Sequence, residues 1–362
     1  MLRPLLQQGS ARIARGLVLA SNTGPGQPCL YPCASLLPMK RYLITGGAGF
    51  IGSHLATGLI QRGDSVRVLD SLVTGNRDNL AHLEVGEAGS GAPVELVEGD
   101  IRDFDTVLGA AEGIEGVFHE AAQVSVPRSI ELPMESYAVN VTGSLNVVEA
   151  AHRAGVRKVV AAASSAAYGD SDELPKHEAM LPNPLSPYAS GKLSMEQTLA
   201  VWGKVHGMHT VNLRYFNVFG PRQADDSPYT GVIAIFARAL ILGKPVTIFG
   251  DGGQTRDFTY IDNVVAANLA AMDAGDEPGR VAPGQVFNVG VGERVSLNQL
   301  YDAMADLAGV SERPSYKDAR AGDVRHSLAS LERVRAGLGY EPGIGFAEGI
   351  ERTFRWYQER LG

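Results

Sequence analysis

The sequence predicts an α/β protein built on a doubly wound parallel sheet, with a smaller mixed α/β region after it. Short apolar strands alternate with helical segments, a glycine-rich turn joins the first strand to the first helix, and the alternation loosens after Gly220. Such alternation is typical of parallel strands with helices on both faces and right-handed crossovers. With 362 residues, 44 % of them hydrophobic, the chain can bury one large core or two smaller ones.

The first half of the chain contains six predicted strands. The first, Arg41–Thr45, leads into the glycine-rich turn, and the helical pattern of Phe50–Arg62 ends at Gly63. The other strands are Ser65–Asp70, Val94–Val97, Gly116–His119, Val159–Ala163 and Thr210–Tyr215, and the other helices cover about Arg102–Ala111, Tyr137–Ala154 and Pro187–Gly203. We assign residues 39–220 to a first domain, which contains the glycine-rich turn.

Beyond Gly220, the residues Pro, Gly and Asp become frequent. The short apolar runs Val246–Phe249 and Val286–Val289 stand between helices such as Ile233–Leu242 and Leu297–Ala308. We assign residues 221–362 to a smaller second domain, since such a region commonly completes a ligand cleft opposite the first domain.

Residues 1–38 are a different kind of sequence. They carry three arginines and no acidic residue, and they hold both cysteines of the chain, Cys29 and Cys33. We consider a transit-type peptide, a disordered tail, or a start codon assigned too far upstream. We favour the last interpretation, with Met39 as the true start, because the first strand begins so soon after Met39. The cysteines have no second pair of metal ligands nearby, so no metal site is predicted.

The charge pattern argues against nucleic acid as a partner. The formal net charge is −8, and no cluster of Lys and Arg forms the basic patch that a nucleic-acid binder normally shows. No segment approaches the roughly 20 apolar residues that a membrane helix needs. We therefore predict a cytoplasmic protein without nucleic-acid or membrane partners.

The glycine-rich turn has the spacing of a Rossmann-type dinucleotide site. Gly46, Gly49 and Gly52 follow a Gly-x-x-Gly-x-x-Gly pattern between a strand and a helix. Glycine lets the turn be tight and lets a pyrophosphate approach the N–H groups at a helix N-terminus. With Phe50 and Ile51, these glycines are the predicted phosphate contacts.

Asp70 ends the second strand at about the expected separation from this turn. A carboxylate there accepts both hydroxyls of the adenosine ribose and repels a 2′-phosphate. No Arg or Lys occurs in the next four residues, so NAD is predicted rather than NADP. Taken alone, Asp70 would be an ordinary residue at the end of a strand.

Tyr188 and Lys192 are four residues apart, so they project from one face of a helix. A free tyrosine has a pKa near ~10, and a nearby ammonium together with a positively charged nicotinamide lowers it. Tyr188 is therefore a candidate base for an alcohol. Ser164 and Ser165 follow a strand at the sheet edge where ligands bind, and either hydroxyl could assist. A lone Tyr-x-x-x-Lys is weak evidence.

From Met39 to its end the chain resembles the extended short-chain dehydrogenase/reductase family, and within it the UDP-hexose 4-epimerases. The motifs that carry the resemblance are, in order, the glycine-rich turn, Gly99-Asp100-Ile101, His119-Glu120-Ala121-Ala122, Asn140-Val141-Thr142-Gly143, Ser164-Ser165, Tyr188 with Lys192, Arg214-Tyr215-Phe216-Asn217, Arg256-Asp257-Phe258 and Arg320-Ala321-Gly322-Asp323. The ordered set is far more specific than any single motif.

The resemblance implies a role for each motif. Asp100 and Ile101 would border the adenine, Ala121 and Ala122 would line the nicotinamide side, Asn140 would belong to the cofactor site, Asn217 would touch the sugar diphosphate, Arg256 and Arg320 would bind the diphosphate or uridine, and Asp323 would contact the ribose.

The reaction implied by the resemblance is redox-neutral. Tyr188 would take the proton of the sugar 4-hydroxyl while hydride passes to NAD. The 4-keto sugar would then turn over in the cleft and receive the hydride on its other face. A homodimer through the helices near Tyr137–Ala154 and Pro187–Gly203 is also implied.

Three segments, residues 124–129, 229–233 and 322–327, resemble the subgroup that handles UDP-N-acetylglucosamine and UDP-N-acetylgalactosamine. They add Ser125, Val232 and Ser327 to the predicted substrate contacts. Epimerases that reject acetylated sugars have a bulky Tyr at the position of Ser327, and a small residue leaves room for an N-acetyl group. UDP-glucose and UDP-galactose are expected as second substrates.

Two features depart from the family pattern. Glu120 replaces an apolar or amide residue, and a carboxylate beside the nicotinamide would affect its redox balance unless it points away. Ser165 is followed by two alanines and no third hydroxyl. We favour Ser164 as the proton relay, with Ser165 contacting substrate.

Three other functions are alternatives for a chain with this predicted fold. A 4,6-dehydratase needs an Asp-Glu pair where this chain has Ser165-Ala166. A UDP-uronic acid 4-epimerase needs a cation for the sugar carboxylate, for which Arg128 or Arg325 is available. A non-catalytic NAD-sensing protein of this fold typically loses the Tyr/Lys pair, which this chain keeps.

Overall fold

The computed structural model describes residues 40–225, 231–274, 281–319 and 324–362. The strands of the large sheet are β1 (Arg41–Thr45), β2 (Ser65–Asp70), β3 (Val85–Glu87), β4 (Val94–Glu98), β5 (Gly116–His119), β6 (Lys158–Ser164), β7 (His209–Tyr215) and β12 (Gln285–Val289). The short strands are β8 (Asn217–Phe219), β9 (Thr247–Phe249), β10 (Thr255–Arg256), β11 (Phe258–Tyr260), β13 (Val295–Ser296) and β14 (Ser315–Lys317).

The helices differ widely in length. They are α1 (Phe50–Gln61), α2 (Phe104–Ala111), α3 (Val126–Glu131), α4 (Pro133–Tyr137), α5 (Ser144–Arg153), α6 (Pro187–His206), α7 (Val232–Ile241), α8 (Ile261–Asp273), α9 (Leu297–Ala308), α10 (Glu332–Leu338) and α11 (Phe346–Leu361). A π-helical segment, Ala138–Gly143, joins α4 to α5, and two 3₁₀ turns cover Arg77–Leu80 and Ser165–Tyr168. Within the described ranges no helix is long and apolar enough to cross a bilayer.

The large sheet has the strand order β12-β7-β6-β5-β1-β2-β4-β3, and every neighbouring pair is parallel. Strand β1 pairs with β2 on one side and β5 on the other, so the order reverses there. In open α/β sheets, ligands bind at the carboxyl ends of the strands beside such a reversal. The sheet thus confirms the predicted fold class and marks the edge where a site belongs.

Helices cover both faces of the large sheet. On one face α2, α5 and α6 pack against each other, and on the other α1 packs against α8. The buried strand residues carry mainly Val, Leu, Ile and Ala, as expected for strands covered on both faces. Two elements beyond Gly220 belong to these layers, because β12 pairs with β7 and α8 lies along β6 and β7.

The remaining elements form the smaller mixed α/β region. Helices α7, α9 and α11 pack together beside the parallel pairs β8/β11 and β9/β14 and the antiparallel pair β10/β13. All described residues belong to one compact unit. The division into residues 39–220 and 221–362 stays a prediction, and residues 1–38 lie outside the part of the chain that the structure describes.

The structure differs from the sequence expectations at one helix that bears on the site. The segment expected to be a continuous helix from Tyr137 to Ala154 contains the π-helical turn Ala138–Gly143. The side chain of Asn140, inside that turn, bonds both backbone groups of Gln123. A π turn re-aims one side chain without ending the helix, which periodicity cannot reveal.

Helix α1 starts against the glycine-rich turn without any spare room. A Cβ on Gly52 would lie 2.3 Å from the carbonyl oxygen of Gly46 and 2.7 Å from the Cα of Gly47. Gly109, inside α2, has no atom within 4 Å of such a Cβ.

We expect Gly52→Ala to destabilise the protein by about 1–3 kcal/mol, because the added methyl group overpacks the turn. The matched control Gly109→Ala should be neutral or stabilise by about 0.5–1 kcal/mol, since alanine costs less chain entropy in a helix. Urea unfolding measures both. Equal midpoints for the two variants would show that the turn has room the structure does not indicate.

Candidate active site

The glycine-rich turn forms a cradle at the carboxyl end of β1. Gly46 has a φ of 72°, and a Cβ there would lie 2.7 Å from the backbone nitrogen of Ala121. Gly49 is the N-cap of α1 and has no side chain to block the free N–H groups at the start of that helix. The predicted phosphate contacts Phe50 and Ile51 are the first two residues of that helix. Free N–H groups at a helix N-terminus suit a pyrophosphate.

Asp70 is buried at the end of β2 and faces the same turn. Its Oδ2 accepts the N–H of Ala48 at 2.9 Å, and its Oδ1 accepts the N–H of Leu72 at 2.9 Å. Leu72 has a φ of 55°, a strained conformation for leucine, which aims its N–H at the carboxylate. Burial raises the pKa of Asp70, and the two N–H groups oppose this. Each oxygen keeps a lone pair that a ribose hydroxyl can use.

Asp100 and Ile101 follow β4 at the same edge. The Asp100 carboxylate accepts hydrogen bonds from the main chain and guanidinium of Arg102, which lower the pKa of Asp100. The Ile101 side chain is buried in the core, and its Cδ1 atom would lie 2.6 Å from a Cβ on Gly143. Their contact with adenine stays a prediction.

Tyr188 is the second residue of α6, which follows the N-cap Ser186 and has Pro187 as its first residue. Burial raises the pKa of the Tyr188 phenol, and a side-chain hydrogen bond with Ser164 lowers it. The Ser164 oxygen also accepts the N–H of Ala166 at 3.2 Å, which fixes the serine as the cap of the following 3₁₀ turn. The structure thus brings Ser164 to Tyr188, and Ser165 begins that turn.

Lys192 is buried one turn further along α6. Its Nζ donates to the carbonyl oxygen of Ala162 on β6 at 2.8 Å. Burial lowers the pKa of Lys192, and the nearby carboxylates of Glu120 and Glu196 raise it. The ammonium is therefore held at the strand end beside the Tyr188 and Ser164 pair.

Helix α6, which carries Tyr188 and Lys192, is anchored by an ion pair to which the sequence analysis assigned no role. Glu196, four residues after Lys192, accepts two hydrogen bonds from Arg214 on β7, at 2.8 and 2.7 Å. Both side chains are 4 % exposed. The Arg214 guanidinium lies 4.6 Å above the ring of Tyr168, whose hydroxyl donates to Asn288 on β12. The sequence contained one hint of this role for Glu196, because its four-residue spacing from Lys192 places both side chains on the same face of the helix.

A buried polar network positions the loop that carries Ala121 and Ala122. His119 is fully buried, and its two ring nitrogens contact the hydroxyls of Thr45 at 2.7 Å and Ser144 at 2.9 Å. Burial, with the charge of Lys192, lowers the pKa of His119 to about 3, so the ring is neutral. Ser144 donates to the carbonyl oxygen of Asn140, whose side chain holds the loop.

Glu120 points into the protein and not into solvent. Its Oε1 accepts the hydroxyl hydrogen of Tyr215 at 2.9 Å, and Tyr215 accepts from Asn268 of α8 at 2.7 Å. Burial raises the pKa of Glu120, while the Tyr215 hydroxyl and the charge of Lys192 lower it. Its Oε2 is buried without a hydrogen-bond partner among the described residues.

Three of the predicted substrate contacts lie on adjacent backbone segments. Asn217 is exposed, and its N–H donates to the carbonyl oxygen of Asp257 at 3.0 Å. Arg256 precedes Asp257 on β10, and the N–H of Ser327 donates to the carbonyl oxygen of Thr255 at 3.1 Å. Asn217, Arg256 and Ser327 are thus brought together beside the end of β7.

The other predicted substrate contacts are less closely joined to this group. Ser125 is buried as the N-cap of α3, where its Oγ accepts the N–H of Arg128 at 3.1 Å. Val232 is the half-buried first residue of α7. Arg320 and Asp323 lie outside the described residues.

A dinucleotide fits the residues present. The turn leaves a cradle in which a Cβ on Gly46 or Gly52 has no room, and the Asp70 carboxylate offers lone pairs beside it. The Tyr188 phenol, in contact with Ser164 at the end of β6, belongs to the same carboxyl edge of the sheet. Fold and site together define a class of protein that binds a dinucleotide, with a Tyr/Lys pair as the candidate catalytic group.

Comparison with known proteins agrees with this class. The NAD dependent epimerase/dehydratase family matches residues 42–290. A UDP-glucose 4-epimerase of Mycolicibacterium smegmatis is 40 % identical over 322 residues, or 88 % of this chain and 99 % of that protein.

Solved structures give the same result. A UDP-glucose 4-epimerase of Thermotoga maritima with UDP-glucose has a TM-score of 0.82 at 36 % identity, over 89 % of this chain and 100 % of that one. A UDP-N-acetylglucosamine 4-epimerase of Methanobrevibacter ruminantium in complex with UDP-N-acetylmuramic acid has a TM-score of 0.81 at 33 % identity, over 90 % and 100 %.

The chain belongs to the NAD dependent epimerase/dehydratase family, and it is an NAD-dependent enzyme. The predicted resemblance to the UDP-hexose 4-epimerases of the extended short-chain dehydrogenase/reductases is confirmed.

We expect Glu196→Gln to destabilise the protein by about 3–5 kcal/mol, because it leaves the buried Arg214 without its anionic partner. The matched control is Glu351→Gln, which breaks an exposed pair with Arg355 on α11 and should cost at most about 0.5 kcal/mol. Urea unfolding compares the two variants. Similar midpoints would mean that the buried pair does not anchor α6.

Proposed function

We propose that the protein interconverts the C4 epimers of a UDP-sugar, with UDP-N-acetylglucosamine and UDP-N-acetylgalactosamine as its preferred pair. The observation that carries the reaction is the Tyr188, Ser164 and Lys192 group at the carboxyl edge of β6. Two of the similar proteins are named UDP-glucose 4-epimerases and one is a UDP-N-acetylglucosamine 4-epimerase.

In this proposal the proton moves through Tyr188 and Ser164. The Tyr188 phenolate takes the proton of the sugar 4-hydroxyl and later returns it to the same oxygen. Ser164 donates a hydrogen bond to the phenolate, which keeps the Tyr188 pKa below the value that burial alone would give. Lys192 contributes positive charge at the strand end. Bound NAD supplies the acceptor and donor of the C4 hydride.

The preference for an N-acetylated sugar rests on space near Ser327. Its small side chain is half-buried beside Arg256, in a segment whose backbone is held by Thr255. A larger side chain there would occupy the volume that an acetamido group needs. Sugars that carry a hydroxyl in place of the acetamido group need less of this volume, so we propose UDP-glucose and UDP-galactose as the second substrate pair.

A uronic acid is the weaker candidate because both arginines available for its carboxylate are already paired. Arg128 donates to both carboxylate oxygens of Glu135, at 2.9 and 3.2 Å. Arg325 donates to both oxygens of Asp251, at 2.9 and 2.8 Å. A charged sugar would have to displace one of these carboxylates.

We also propose a homodimer that pairs α5 and α6 with their copies. Leu145 on α5 and Val201 and Val205 on α6 are 38 %, 50 % and 67 % exposed. Exposed apolar residues that share one helical stripe mark an interaction surface. Val201 and Val205 are one turn apart, so they lie on the same face of α6.

The substrate assignment is tested with the full chain, UDP-N-acetylglucosamine and product analysis by proton NMR. We expect UDP-N-acetylgalactosamine to appear and reach a constant ratio. Ser327→Tyr should lower this rate at least about 100-fold and spare UDP-glucose, since the ring fills the acetamido space. Ser327→Ala, the matched control, should keep both activities, and Tyr188→Phe should lose both.

Other results would correct the proposal. Unchanged N-acetylhexosamine turnover in Ser327→Tyr would contradict the steric argument. Turnover of UDP-glucose or UDP-glucuronate alone would keep the C4 reaction and change the sugar.

The dimer is tested by light scattering at micromolar concentration. We expect twice the chain mass for the native protein and a single chain mass for Val201→Asp/Val205→Asp, because buried charges disfavour the interface. Leu307→Asp changes an exposed apolar position on α9 and should stay dimeric. A single chain mass for the native protein would end the proposal.

A further inference from the structure

Glu120 is a half-buried acid with an enclosed Oε2 atom, and the proposed reaction does not use it. It follows β5 directly, and its N–H donates to the carbonyl oxygen of Thr45 at 3.1 Å, which holds it at the carboxyl end of β1 and β5. A buried carboxylate oxygen without a partner, such as its Oε2, carries a substantial desolvation cost. Something else is therefore expected to compensate this oxygen.

The orientation of the neighbouring hydroxyl is settled by its other bond. Asn268 donates to the Tyr215 oxygen, and a phenol has one hydrogen, so that hydrogen goes to Glu120 Oε1. Asn268 is itself held, because its Nδ2 also donates to the carbonyl oxygen of Val264. The carboxyl group of Glu120 is thus fixed from α8 through β7.

Glu120 lies between the glycine-rich turn and the Tyr188/Lys192 end of the site. On one side the peptide between Glu120 and Ala121 packs against the glycine-rich turn, where a Cβ on Gly46 would lie 3.0 Å from the Glu120 carbonyl carbon. On the other side Tyr215 is paired in register with Ser164, which contacts the Tyr188 phenol. A dinucleotide with its pyrophosphate on the turn and its reactive ring at Tyr188 passes this carboxyl group.

Charge explains what such an acid does there. When the sugar carbinol is oxidised, its C4–H bond breaks and the hydrogen leaves with two electrons to the nicotinamide, while the hydroxyl proton goes to Tyr188. A nicotinamide ring bound at this site would be a cation before the transfer and a neutral ring after it. A carboxylate nearby attracts the cation and is indifferent to the neutral ring.

Resting on the proposed function, we propose that Glu120 is a positioning residue of the cofactor site whose carboxylate favours oxidised over reduced nicotinamide. Held by Tyr215 and Asn268, it keeps the bound cofactor in the form that can accept hydride. It also returns the hydride to the keto sugar more readily, because the product of that transfer is the cation it stabilises.

The test measures the bound cofactor and not turnover. The purified enzyme is equilibrated with known mixtures of NAD and NADH, freed of unbound cofactor and denatured, and the two released forms are quantified. We expect Glu120→Gln to shift the bound ratio toward NADH by about ten- to a hundred-fold, as expected when one nearby negative charge is lost. Glu120→Asp, which keeps the charge, should stay near the native ratio.

The outcomes separate the possibilities. A structural role alone would weaken both forms equally, so an unchanged ratio in Glu120→Gln would overturn the proposal. If that variant fails to fold, Tyr215→Phe removes only the hydrogen-bond donor and should shift the ratio in the same direction by a smaller factor. An unchanged ratio in Tyr215→Phe would then overturn it. No sugar is present, so a failed epimerase assignment leaves this result readable.

Discussion

The buried ion pair between Glu196 and Arg214 is the constraint on which the active site depends. Helix α6 carries Tyr188, Lys192 and Glu196 at four-residue intervals, so a small rotation or slide of the helix moves all three. The bidentate pair ties one end of this row to β7, and the bond from Lys192 to Ala162 ties the middle to β6. These contacts with two strands fix the helix whose second residue, Tyr188, contacts Ser164.

A buried polar network holds the loop that carries Ala121 and Ala122 in place, as the ion pair does for α6. The chain of contacts from Thr45 through His119 and Ser144 to Asn140 is buried and neutral. A fully satisfied network of this kind rigidifies what it touches, because any displacement leaves a buried polar atom unpaired. The loop with Ala121 and Ala122 is thereby held against the glycine-rich turn. Glu120, in that loop, keeps one carboxylate oxygen without a hydrogen-bond partner among the described residues, and it shares this property with the amide oxygens of Gln123 and Asn268.

The sugar side is assembled in another way. Asn217, Arg256 and Ser327 come from distant parts of the chain and are joined by backbone hydrogen bonds among short strands. Of these three side chains Asn217 is exposed and Arg256 and Ser327 are half-buried, so none of them is fully covered by the protein. Arg128 is paired with Glu135 and Arg325 with Asp251, so both arginines considered for a sugar carboxylate already have an anionic partner.

The sequence by itself determined the parallel sheet, the phosphate turn and the Tyr188/Lys192 pair. Each depends on local spacing: strands and helices have distinct periods, glycine permits close approach, and four residues make one helical turn. The last strand of the sheet, β12, was recognised as an apolar run in the second region, but its place beside β7 depends on long-range pairing.

The tertiary structure alone decided which polar groups meet. Arg214 and Glu196 are 18 residues apart, Glu120 and Tyr215 are 95 apart, and no spacing rule connects them. Whether Glu120 points inward or away, and which serine reaches Tyr188, are set by the packing of whole elements. Burial and hydrogen-bond pairing arise only when distant segments share one interior, so these properties follow from the fold and not from the local sequence.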